Sequence, residues 1–149
     1  MMSDLNRFLK AQEDTYVRAL EEIKAGKKRS HWMWFIFPQI KGLGQSQVSK
    51  YYAIQNFEEA ILYLENPLLK SRLLEISQAL LELDVANIAD VLGSIDTLKL
   101  KSSMTLFHMV DKEEKVFMEV LRKYFHNEFD HRTIEILEIE KGKKGKYDI

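Results

Sequence analysis

Apolar side chains recur every three or four residues along most of the chain, separated by short polar breaks. Leu5, Phe8, Leu9, Gln12, Tyr16, Ala19, Leu20 and Ile23 share one stripe and predict an amphipathic helix over about residues 4–25. Ser3 or Asp4 can cap its start, and Gly26 suits its end. Residues 32–37 predict a short helix or turn that Pro38 stops, because proline lacks the N–H a helix needs. Ser46 can cap a short helix through Ile54. Asn56 with Glu59 has capping-box spacing, and Asn66-Pro67 joins a cap to a proline at the first helical position.

Farther along, Leu69, Leu73, Ile76, Leu80 and Leu83 form the next stripe. A brief helix from Asn87 should end at Gly93, and Ser94 can cap a longer one to about Val110. Asp111 and Glu114 repeat the capping-box spacing before the stripe Val116, Phe117, Val120, Leu121, Tyr124, Phe125. Asp130 can cap a last helix. Residues 133–139 would also suit a strand, but a lone strand has no partner, so they read as helix. The pattern predicts an all-α fold: one compact, irregular bundle of about six to nine helices over residues 1–140, then a flexible Lys/Gly-rich tail over 141–149.

Composition narrows the function classes. A chain of 149 residues fits one domain that buries roughly 70% of its unfolded surface. The net charge of −1 gives no global pull toward nucleic acid or anionic lipid. The absence of Cys removes disulfides, thiolate metal sites and thiol nucleophiles. The most apolar run, residues 32–38, falls far short of the roughly 20 residues that span a membrane, and the N-terminus lacks the apolar core of a signal peptide. The expectation is a soluble, cytoplasmic protein without a membrane partner. The four histidines, His31, His108, His126 and His131, have no metal-site spacing, and no residue pattern implies a cofactor. Basic stretches at 24–29 and 141–146 lack the interleaved aromatics or recognition helix of a nucleic-acid binder.

Two segments invite a chemical reading. Residues 30–39 hold both tryptophans and two of the eight phenylalanines. Such a run is either a central hydrophobic plug or a wall that stacks on a planar ligand, with Trp32, Trp34 and Phe37 as rings and His31 or Gln39 as polar contacts. The following Lys41-Gly42-Leu43-Gly44 loop leads into a helix and can seat an anion, although an ordinary turn explains it too. The second segment spans residues 92–107. Ser102, Ser103 and Thr105 on its helix either permit close packing, bonding back to their own backbone, or join Lys99 in a polar pocket floor. His31 and Asp96 are the titratable candidates for acid–base work, Asp96 also suiting a helix dipole.

Residues 30–44 (Ser-His-Trp-Met-Trp-Phe-Ile-Phe-Pro-Gln-Ile-Lys-Gly-Leu-Gly) and 96–107 (Asp-Thr-Leu-Lys-Leu-Lys-Ser-Ser-Met-Thr-Leu-Phe) closely resemble the signature motifs of the domain-of-unknown-function 1810 family, a mostly bacterial group. The resemblance covers nearly the whole chain and implies a compact, cytoplasmic, all-α protein with no established activity. Some members carry the label calpastatin, yet calpain inhibitors of that name are disordered and this composition is that of a folded domain. The chain departs from the family pattern at Asn66-Pro67-Leu68-Leu69-Lys70, where His-Pro-x-Leu-Gly is usual, and at Ala53, where Gly follows Tyr. A looser similarity to the NADAR group hints at NAD- or ADP-ribose-like ligands. The expectation is a small-molecule-binding domain for a small anionic or nucleotide-like ligand, and an enzyme if His31 and Asp96 act on it. The competing expectation is a protein-interaction module whose signature segments are core.

Overall fold

The computed structural model describes residues 4–147, and side chains through residue 142. Among the described residues ten helices follow in chain order: α1 Asn6–Glu13, α2 Tyr16–Lys24, α3 Met33–Ile36, α4 Gln47–Tyr52, α5 Phe57–Glu65, α6 Pro67–Leu81, α7 Ala89–Leu92, α8 Ser94–Val110, α9 Lys115–Phe125 and α10 His131–Tyr147. The fold is all-α. Its centre is α8, which packs against α5, α7, α9 and α10, while α6 joins α2 to α9. Leu100, Met104, Leu106 and Phe107 of α8 are fully buried. The Phe107 ring lies 5.2 Å from Tyr63 and 6.0 Å from Phe117, so one aromatic side chain ties three helices together. Among the described residues no helix is long and apolar enough to cross a membrane.

Several expected boundaries move. The single helix expected over residues 4–25 is two, because the chain breaks at Asp14 and Thr15, both weak helix formers. Gln12, near the end of α1, is buried, and its amide donates to the Phe35 carbonyl and the Tyr63 hydroxyl. Asp111 does not cap α9: it bonds the Glu113 amide in a turn, and the helix begins at Lys115. Gly93 (φ 86°), rather than Ser94, is the residue before α8. The last helix continues to Tyr147, into the stretch expected as a flexible tail. Residues 148 and 149 of that stretch lie outside the described residues.

The caps at Ser46, Asn56, Asn66 and Asp130 form as their residue types dictate, each side-chain oxygen accepting an amide from the first turn. Asp130 does more. Its Oδ2 accepts from Ser102, the Thr133 amide and the Thr133 hydroxyl, and its own amide donates to Thr105 Oγ1. The start of α10 is thus pinned to the middle of α8.

A buried ion pair fixes the opposite side. Arg7 and Glu59 approach to 2.6 Å, each side chain only 5% exposed. The guanidinium also donates to the carbonyls of Tyr51 and Ala53 at 2.8 Å, so α1 holds the chain that leaves α4. That same chain is stitched to the loop after α3. Lys41 donates to Ile54 and Ile54 to Gln39, both at 2.8 Å, forming an isolated parallel bridge between Ile40 and Ile54.

Candidate functional site

A cleft of about 450 Å³ opens above that bridge. One wall is Trp34, Gln39, Lys41, Gly42 and Gly44; the other is Ser49, Lys50, Tyr52, Ala53 and Gln55. Trp34 is half-buried, on the four-residue α3, whose other side chains Met33, Phe35 and Ile36 anchor it in the core. Two lysines and no carboxylate belong to the lining. Both lysines, Lys41 and Lys50, are exposed, so their charge is open to solvent screening. Burial and the neighbouring Tyr51 raise the Tyr52 pKa against the pull of Arg7.

The glycines of the loop have local reasons to be there. Gly42 has φ 109°, a conformation side chains resist. At Gly44 a Cβ would fall 2.4 Å from the Ser49 Cβ, so only glycine lets the loop lie against α4. At the start of α4 Ser46 takes up the Ser49 amide, one of the free amides an anion could use.

The aromatic segment divides between core and cleft. Trp32 and Phe37 are wholly buried, their rings 6.4 Å apart, and neither lines the cleft; they belong to the plug that holds α3. The Trp32 Nε1 donates to Glu22 at 2.8 Å. Glu22 also accepts the amides of Arg29 and Ser30 and the Ser30 hydroxyl, which fixes the approach to α3. His31 is exposed, and its ring lies 6.4 Å from that of Trp34 at an interplanar angle of 32°.

The second segment meets the first through its charged turn, not through its hydroxyls. Lys99 places its ammonium 5.0 Å from the Trp34 ring centroid. Asp96 lies 3.4 Å from Lys99 and 3.0 Å from Lys28, whose ammonium in turn sits 5.0 Å from the Trp32 ring centroid. The Lys28 amide donates to Val91, closing the junction. The expected polar floor is elsewhere. Ser102 and Thr105 are buried and bond back to the carbonyls of Leu98 and Lys101, which is the close-packing alternative. Ser103 is fully buried, and its hydroxyl has no partner among the described residues. None of the three lines the cleft.

Lining residues that sequence reasoning missed are Ile40, Gln45, Ser49, Tyr52, Ala53 and Gln55. Little in the sequence marks them, since the six-residue α4 has no buried side chain and meets the core only through the half-buried Tyr52. Lys28 escaped notice because nothing in its basic run marks which lysine will meet Asp96.

A second depression, of about 520 Å³, lies between the start of α5, the end of α8 and α10. Phe57, Met109, Ile134 and Leu137 line it, with none of the expected site residues.

No curated protein matches the chain. Among solved structures, the fold is similar to the crystal structure of the conserved hypothetical protein Rv1873 from Mycobacterium tuberculosis. The TM-score is 0.88 at 42% identity, covering 90% of this chain and 96% of that one. Residues 2–137, which contain both signature segments and both walls of the cleft, match the family described as "Protein of unknown function (DUF1810)". The chain belongs to the DUF1810 family.

Proposed function

We propose that this protein binds a small planar anion, of the nucleotide-like kind, in the cleft between the two walls. The lining carries the proposal: a half-buried indole, two lysines, three glutamine amides and no carboxylate, around a volume within the roughly 300–1,000 Å³ usual for ligand sites. A ring would lie against Trp34, its negative group near Lys41 and Lys50, with Gln39, Gln45 and Gln55 choosing among hydrogen-bond patterns. His31 and Asp96 touch the cleft only through Trp34 and Lys99. Binding is therefore the primary reading, and acid–base work by those two groups would need a ligand that reaches past the indole.

A second reading, a protein-interaction module, draws on the back-bonded Ser102 and Thr105 and on the burial of Trp32 and Phe37, all structural roles. A thermal-shift screen against nucleotides, NAD derivatives and sugar phosphates separates the two. A ligand at 100 times its Kd should stabilise the fold by about 2.7 kcal/mol. Trp34→Ala should abolish the shift while circular dichroism stays unchanged. Silence across all three classes would favour the interaction module.

A further inference from the structure

Resting on that reading, we propose that Lys99 is the residue by which the site distinguishes a charged ligand from its uncharged counterpart, leaving Asp96 for an anionic group on a ring stacked at Trp34. Asp96 has two cations and needs one. Lys28 is the fixed partner: it is closer, at 3.0 Å against 3.4 Å, its side chain is 10% exposed against 20%, and it also donates to the Ser30 carbonyl. Lys99 is the releasable one. Its pairing with Asp96 is a partly exposed i,i+3 contact, of a kind that contributes little to stability.

What Lys99 keeps is its place beside the indole, 5.0 Å from the ring centroid. Its four-carbon stem lets the ammonium swing from the carboxylate toward the rim of Trp34. An uncharged ligand offers nothing to draw it there. A phosphate or carboxylate does, and Asp96 stays neutralised by Lys28 when Lys99 departs. The ligand class is thus a planar ring bearing a phosphate or carboxylate, and α8 supplies the charge selectivity that the lining alone leaves to Lys41 and Lys50.

The test uses two probes with the same ring, adenosine 5′-monophosphate and adenosine, titrated against tryptophan fluorescence in the full chain. The wild type should bind the monophosphate more tightly. Lys99→Met should weaken the monophosphate about tenfold and leave adenosine unchanged, while Lys99→Arg keeps the preference. Circular dichroism of each variant checks that the fold is retained. If Lys99→Met weakens both probes equally, or spares the preference, Lys99 does not read charge, although the Trp34 cleft still binds. If neither probe binds the wild type and the thermal-shift screen is also silent, the inference falls together with the reading beneath it.

Discussion

The indole Nε1 of Trp32 donates to Oε1 of Glu22 at 2.8 Å, and both side chains are buried. Burial alone would raise the carboxyl pKa. The Ser30 hydroxyl, the amides of Arg29 and Ser30 and the indole outweigh it and lower the value from 4.5 to about 2. The folded chain therefore releases this proton more readily than the unfolded chain. The stabilisation is fully present above about pH 4.5 and is lost as pH falls toward 2. Glu22→Gln should cost about 2 kcal/mol at neutral pH, the scale of hydrogen bonds to a charged group. It should also flatten the acid limb of stability between pH 4.5 and 2, measured by urea unfolding at a series of pH values. An unchanged acid limb would place the linkage on other carboxylates.

Arg7 gives a second expectation. Removing it takes the guanidinium away from the buried Glu59 carboxylate, which keeps the Gln55 amide, and releases the carbonyls of Tyr51 and Ala53. Arg7→Met should destabilise by about 3–5 kcal/mol, the usual loss when one partner of a buried pair is removed. Arg7→Met combined with Glu59→Leu should recover part of that loss, because the buried charge is then gone. Denaturant midpoints of the two variants decide it, and equal losses would mean that the carbonyl contacts dominate.

The Asp130 cluster predicts a local effect. Asp130→Ala removes the N-cap of α10 and its link to Ser102, which should cost about 1–2 kcal/mol. Amide hydrogen exchange should rise along α10 and stay unchanged at α3 and α4, since none of these contacts reaches the cleft. Faster exchange throughout the molecule would show that α10 is needed for the whole fold.

The fold was legible where a rule is local. Asn56, Asn66-Pro67 and Asp130 cap helices because a short polar side chain before an apolar stripe has one good use. Gln12 was read into an apolar stripe and is buried as expected, but its hydrogen bonds to Phe35 and Tyr63 span 23 and 51 residues, and no local pattern announces them. The site was half legible for the same reason. The loop of Gln39, Lys41, Gly42 and Gly44 stood out, whereas the facing wall of Tyr52 and Gln55 is brought near by the Ile40–Ile54 bridge, a pairing without a periodic signal. Ser102 and Thr105 show the limit of residue type. A hydroxyl in an apolar stripe suits a ligand or a backbone carbonyl equally until the neighbouring helix is known.

The bridge between Ile40 and Ile54 also makes the two sides of the cleft mechanically one. Gln39 and Lys41 share backbone hydrogen bonds with Ile54, whose neighbour Ala53 is gripped by Arg7. A guest wedged against the loop would push on the amino-terminal helix through three successive contacts, none of which involves an exposed side chain.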